Sequence, residues 1–162
     1  MSVAHSDVQI QQMIAERKLL PADWRPLVQV RPKHGHKERE LDVEGDSGNG
    51  YQVIMRQSNF NPLDFSVILA LRPANSNILF RVRRYNGKSH SHTNVIEGST
   101  ITGFHIHEAT ERYQALGGSE DGYAEATIAY SDFSSALLCM FRECGFEAPW
   151  GSHPGLFGEF ET

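Results

Sequence analysis

The spacing of apolar residues predicts a helix near each end of the chain. Near the N-terminus, Ser6 and Gln9 have the spacing of a capping box, and apolar residues follow at the helical period until Pro21. Between Asp132 and Gly145, apolar residues fall at i, i+3, i+4, i+7, i+8 and i+11: Phe133, Ala136, Leu137, Met140, Phe141 and Cys144. Such a wide apolar stripe is expected to pack against a sheet.

Between these helices the pattern changes to short segments rich in β-forming residues and bounded by turn residues. The predicted strands cover residues 27–31, 39–43, 51–57, 65–72, 78–85 and 100–108. The sequence therefore predicts an α+β fold: a curved antiparallel sheet of five to seven strands, with one long C-terminal helix packed on one face and a short N-terminal helix.

We expect residues 1–162 to form one domain. In this interpretation 1–22 hold the N-terminal helix, 27–130 the sheet, 132–144 the second helix and 146–162 an aromatic C-terminal strap. The strap contains Phe146, Trp150, Phe157 and Phe160 among Gly and Pro residues. It either packs on its own domain or docks on a protein partner, such as an antitoxin or a second subunit.

The composition is that of a globular protein: of the 162 residues, 40% are hydrophobic and 22% are charged. No apolar run approaches the roughly 20 residues of a membrane helix, so we expect a cytoplasmic protein with no membrane partner. The net charge of −5 means that contact with RNA requires a local basic patch. Cys139 and Cys144 would point roughly 140° apart on the predicted helix, and we expect them to be buried and reduced.

Four of the eight histidines lie within residues 90–107, as two His-x-His motifs. In the second motif, alternation along a strand places Phe104 and Ile106 on the core face. It therefore places His105 and His107 together on the opposite face.

The preceding strand is expected to add polar residues to this same face. Phe80 and Val82 are assigned to the core, which turns Arg81, Arg83 and Tyr85 to the other side. The long polar loop between the two strands is expected to overhang the face, with Lys88, His90, His92 and Asn94 near it.

One interpretation of this cluster is metal-independent acid–base cleavage of RNA by a toxin-like ribonuclease that needs no cofactor. His105 and His107 would divide the proton transfers, with Tyr85 as a third catalytic residue. The residues expected to bind the substrate are Arg81, Arg83, Lys88, His92 and Asn94.

Three alternatives remain open. The first is a metal-binding module or small metalloenzyme, in which His105, His107 and either His90 or His92 hold Zn or Fe; nearby arginines disfavour a cation. In the second, the histidines are solvated polar residues on the surface of the sheet and have no chemical role. The third is a non-enzymatic interaction protein of phage or defence origin. A further His-x-His, His34 to His36, is expected to be a solvated basic turn that could touch a nucleic-acid backbone.

Residues 80–115 also contain four short motifs in a defined order. They are Arg84-Tyr85-Asn86-Gly87, His92-Thr93-Asn94, Ile101-Thr102-Gly103-Phe104-His105-Ile106-His107 and Glu111-Arg112-Tyr113. This order resembles the pattern R-Y-x-G, H-x-N, I-x-G-x-H-x-H, E-x-Y of a family of small, uncharacterised bacterial and phage-associated proteins. The resemblance implies no particular activity. Small genes of this kind often lie near toxin–antitoxin systems, which favours the nuclease interpretation.

Overall fold

The structure is a computed structural model that describes residues 3–149. It confirms the α+β class and an antiparallel sheet within the predicted number of strands. In the described part of the chain the helices are α1 (Asp7–Ala15), α2 (Trp24–Leu27), α3 (Glu111–Leu116) and α4 (Phe133–Glu143). The strands are β1 (Lys18–Leu19), β2 (Arg31–Lys33), β3 (His36–Glu44), β4 (Gly50–Ser58), β5 (Phe65–Arg72), β6 (Phe80–Asn86), β7 (His92–Asn94), β8 (Ser99–Ile101), β9 (His105–Glu108), β10 (Tyr123–Ala126) and β11 (Phe146–Glu147).

The main sheet has seven strands in the order β10-β9-β6-β5-β4-β3-β2, and every neighbouring pair is antiparallel. It is open, with β10 and β2 as its two edges. Two small ribbons accompany it: β7 pairs with β8 antiparallel, and β1 pairs with β11 in parallel. The predicted strand 100–108 is thus two strands in different sheets, β8 and β9, separated at Gly103, whose φ of 86° a residue with a side chain rarely adopts.

The helices differ from the prediction in number and length. The helix α4 has 11 residues, about three turns, and is not a long helix. Two further helices were not expected, and α2 replaces the start of the predicted strand 27–31. The cap at Ser6 agrees with the prediction, because Ser6 and Gln9 form the expected capping box of α1.

The main hydrophobic core lies between α4 and one face of the sheet. Its helical part is the predicted stripe of α4, and its strand part comes from alternate residues of β4 and β5: Val53, Met55, Val67 and Leu69. A second, smaller apolar cluster of Ile54, Ile68 and Ala70 lies on the opposite face of the same strands. We call this opposite face the histidine face.

The buried side chain of Lys18 joins the ends of two helices to the core. Its Nζ donates to the carbonyl oxygens of Met13 and Glu16 at the end of α1 and to that of Cys144 at the end of α4, and the carbonyl oxygen of Ile14 lies 3.3 Å away. Helix ends leave such carbonyls without intrahelical partners, so Lys18 satisfies them inside the protein.

The start of the predicted strap packs on its own domain. Phe146 is buried and lies 4.8 Å from Phe141, measured between ring centroids. The remaining aromatic residues of the strap, Trp150, Phe157 and Phe160, lie outside the described residues.

Cys139 and Cys144 are free thiols, and both are buried. Between residues 3 and 149, no helix is both long and apolar enough to cross a lipid bilayer.

Candidate functional site

The register of the sheet places His105 and His107 together on the histidine face. His105 is paired with Asn86 on β6, and His107 is paired with Arg84. Directly paired residues point to the same side of a sheet. Arg84 is in turn paired with Ile68, a member of the apolar cluster that defines the histidine face.

Arg83 and Tyr85 do not lie on the histidine face, and this corrects the expectation from the sequence. Leu69 of β5 is paired with Arg83, whereas the next residue, Ala70, is paired with Arg81. Val82 is therefore an extra residue in β6, which reverses the alternation beyond it. As a result Arg81 and Arg84 share the histidine face, and Arg83 and Tyr85 point towards α4.

Tyr85 is a core residue in this arrangement. Its ring is fully buried, and its hydroxyl donates to Glu143 of α4 at 2.7 Å. Arg83 donates to the Tyr85 hydroxyl at 2.8 Å and to Glu143 at 3.0 Å. Burial raises the pKa of the Tyr85 phenol, so this hydroxyl stays protonated and holds α4 to the sheet.

The histidine pair is covered, where the sequence predicts an open face. His105 and His107 are only 3% and 2% exposed. The ring of His92, on the hairpin formed by β7 and β8, lies against both of them. Its centroid is 4.4 Å from that of His107 and 5.9 Å from that of His105, and the pair itself is 5.1 Å apart. The three imidazoles therefore form one compact histidine cluster.

The covering hairpin is held to the edge strand β10 by Asn94. Its side-chain amide donates to the carbonyl of Ala124 at 2.8 Å, and its side-chain oxygen accepts from the amide of Ala124 at 2.9 Å. His92 adds a third contact, from its Nε2 to the carbonyl of Gly122 at 2.8 Å. Asn94 thus acts on the protein's own backbone in this structure.

Backbone carbonyls determine the tautomer of the two buried rings. The Nδ1 of His105 lies 2.8 Å from the carbonyl oxygen of Gly103, and the Nδ1 of His107 lies 2.7 Å from that of Asp121. A carbonyl oxygen only accepts, so each Nδ1 carries the hydrogen and each neutral Nε2 keeps its lone pair. The Nε2 of His105 faces the side-chain amide of Asn86 at 3.4 Å. Among residues 3–149, the Nε2 of His107 has no hydrogen-bond partner.

Both rings are neutral at pH 7. Burial, aided by the nearby charge of Arg84, lowers the pKa of His107 to about 3. Burial also lowers the pKa of His105. The Nε2 of each ring therefore carries no proton at neutral pH, and in this buried state each ring is a weaker base than an exposed histidine.

Arg84 and Asp121 form an unusual ion pair beside the cluster. The Nε of Arg84 lies 3.1 Å from a carboxylate oxygen of Asp121, which is fully buried. Neither this Nε nor either carboxylate oxygen has a hydrogen-bond partner in the described part of the chain. Buried polar atoms without partners are rare in native proteins and call for an explanation.

Arg81 makes more hydrogen bonds and ion pairs than Arg84. It also approaches Asp121, at 3.7 Å, but its Nε donates to Glu120 at 3.3 Å. Arg84 is thus the guanidinium beside the cluster with unused hydrogen-bonding capacity.

Sequence reasoning missed Arg84, Asn86 and Asp121. The apolar residues of β6 carried a signal for the first two, because Phe80, Val82 and Tyr85 are spaced by two residues and then by three. A change of spacing within a strand is the mark of an inserted residue.

Two other residues expected at the site lie elsewhere. His90 is well exposed, and its Nε2 is 3.9 Å from a carboxylate oxygen of Asp64. The backbone amide of Lys88 donates to Leu63, and its Nζ lies 5.6 Å from the centroid of the Phe104 ring. Both residues therefore border the loop between β4 and β5.

The described residues do not form a site for Zn or Fe. Within residues 3–149, no group of three or more His, Cys, Asp or Glu side chains is arranged to hold a metal ion. The positive charge of Arg84 next to His105 and His107 would also repel a cation there.

No family model, curated protein or solved structure matches this chain.

Proposed function

We propose that the protein cleaves RNA by acid–base chemistry at the histidine cluster, without a metal ion. The observation that carries the proposal is the pairing of His107 with Arg84 on the histidine face. It sets a neutral imidazole with a free Nε2 beside a guanidinium that forms an ion pair with Asp121 but donates no hydrogen bond through its Nε. A neutral base next to a fixed cation suits RNA cleavage, in which the ribose 2′-hydroxyl loses a proton and the phosphate gains negative charge.

In the proposed step, the Nε2 of His107 takes the proton of a ribose 2′-hydroxyl. The 2′-oxygen bonds to phosphorus, and the bond from phosphorus to the 5′-oxygen breaks. His92, acting in its protonated form, gives a proton to that oxygen, and Arg84 binds the non-bridging phosphate oxygens. The products are a 2′,3′-cyclic phosphate and a 5′-hydroxyl, and water returns both histidines to their starting states.

The proposal requires the hairpin of β7 and β8 to open for the RNA to enter and to close again over it, because His92 covers both buried rings and is also the proton donor. Glycines lie on both sides of the covering segment, at Gly87 and Gly103. The hairpin is attached to the main sheet through Asn94 and His92, and its turn is attached to α3 through Glu97, which accepts from Arg112 and Tyr113; none of these contacts is a continuous strand ladder. Such an attachment can open without unfolding the sheet.

The test is an RNA cleavage assay in the presence of EDTA. A fluorescent single-stranded RNA is incubated with wild-type protein, His107→Gln and Arg84→Gln, and the product ends are identified by mass spectrometry. We expect the wild type to yield 2′,3′-cyclic phosphates, and each variant to lose at least about 100-fold in rate, the usual contribution of a general base or a charge-stabilising donor.

The matched control is Arg72→Gln, which removes an exposed arginine outside the cluster and should leave the rate unchanged. Circular dichroism of every variant separates loss of chemistry from loss of fold. The proposal is refuted if micromolar protein cleaves no RNA, or if folded His107→Gln cleaves as fast as the wild type.

A further inference from the structure

A cavity of about 530 Å³ lies at the other end of the histidine face. It is lined by residues from β3, β4 and β5 and from the turns beside them, among them His36, Glu38, Arg56, Ser58, Asp64 and Ser66. Its size is within the range of cavities that bind small organic groups.

A row of paired polar residues connects this cavity to the histidine cluster. Arg56 is paired with Ser66, Ser66 with Asn86, and Asn86 with His105, so all four side chains share one face. Hydrogen bonds follow the row, from the Ser66 hydroxyl to Asn86 at 3.0 Å and from Asn86 to His105 at 3.4 Å. With neighbouring strands about 4.8 Å apart, three strand spacings put Arg56 roughly 14 Å from His105.

Glu38 is the common partner of three nitrogen-bearing side chains at the wall of the cavity. Its carboxylate lies 2.9 Å from the Nε2 of His36, 3.1 Å from the Nζ of Lys33 and 3.2 Å from the Nε of Arg56. The guanidinium of Arg56 is half exposed and donates no hydrogen bond within residues 3–149. Residues 31–37, which form the adjoining turn, include Arg31, Lys33 and Lys37 and no acidic residue. Glu38 and Asp64 also line the cavity, so its walls carry both positive and negative side chains.

An exposed aromatic ring lies on the loop beside the cavity. Phe60 is 91% exposed, in the loop that connects Ser58 to Asp64. Its backbone amide donates to the Ser58 hydroxyl, which holds the loop in a tight turn. Aromatic rings next to basic grooves are the usual platforms on which unpaired bases stack.

We propose that this cavity binds a nucleotide of single-stranded RNA about two phosphates away from the cleaved bond, with the phosphate on Arg56 and the base on Phe60. The inference rests on the proposed function and names its substrate class. Double-stranded RNA does not fit this proposal, because its bases stack on each other and cannot reach Phe60.

The test is binding of a fluorescein-labelled 12-nucleotide 2′-O-methyl RNA, which lacks the hydroxyl needed for cleavage. Fluorescence anisotropy gives the Kd for the wild type, Arg56→Gln and Phe60→Ala at one fixed salt concentration. We expect each variant to bind at least about fivefold more weakly, since stacking one base is worth about 1 kcal/mol or more. The control is Arg72→Gln, an exposed arginine paired with Asp42 at the other end of β5, which should change the Kd less than twofold.

The outcomes separate this inference from the proposed function. If Arg56→Gln and Phe60→Ala bind as Arg72→Gln does, or if a duplex of the same sequence binds as tightly, the cavity assignment is wrong even when the protein cleaves RNA. If both variants bind weakly but the wild type cleaves no RNA, the cavity assignment stands and the proposed chemistry fails.

Discussion

Acidification from pH 7 to pH 5 should destabilise this protein through His107. The ring is almost fully buried, and burial lowers its pKa to about 3, against 6.5 for an unperturbed histidine. Between these two values the unfolded chain binds a proton that the folded protein does not. The free energy of unfolding therefore falls as the pH falls through this window, and the contribution is fully present only above pH 6.5.

The expected size of the effect follows from linkage. Each pH unit well inside the window costs about 1.4 kcal/mol, so His107 alone removes about 2 kcal/mol between pH 7 and pH 5. His105, whose pKa is also lowered by burial, adds a loss of the same sign. Glu16 acts outside the window, because its pKa is lowered from 4.5 to about 2 and its contribution is lost only at lower pH.

Urea unfolding at pH 7, 6 and 5 measures this effect. We expect wild type and His34→Gln to lose about 2 kcal/mol or more over the range, and His107→Gln to lose about 2 kcal/mol less than they do. The comparison uses the change with pH, so a lower stability of His107→Gln at pH 7 does not affect it. Equal pH dependence in wild type and His107→Gln, or an NMR titration of His107 near pH 6.5, would show that the ring is not buried as described.

Three further substitutions test particular contacts. Lys18→Met should lower the free energy of unfolding by more than about 3 kcal/mol in urea, because it leaves buried carbonyls at the ends of α1 and α4 without a donor. Asn94→Ala should cost about 1–3 kcal/mol and speed hydrogen exchange of the Ala124 amide, since both contacts of Asn94 with that residue are lost. Tyr85→Phe should lower stability by about 1 kcal/mol and leave RNA cleavage within twofold of wild type, because the hydroxyl contacts Glu143 on the other side of the sheet. If Tyr85→Phe is stable but cleaves RNA much more slowly than the wild type, the Tyr85 hydroxyl takes part in the reaction.

Much of the fold could be predicted because it depends on residues close together in the chain. The capping box at Ser6 forms within three residues, and the apolar stripe of α4 follows the helical period. The common face of His105 and His107 depends only on the alternation of side chains along one strand. Each of these features is local, so the sequence by itself determined it.

Which residues form the candidate site depends on contacts between segments that are far apart in the sequence. Because Val82 is an extra residue in β6, Arg84 lies on the histidine face, and Arg83 and Tyr85 lie on the other face. The pairing of β6 with β5 identifies Val82 as the extra residue. Asn94 contacts Ala124 across 30 positions, and this contact brings His92 over the histidine pair. The tertiary structure alone decided that both rings are buried and neutral, because burial depends on which distant segment covers a face and not on the period of the strand that forms it.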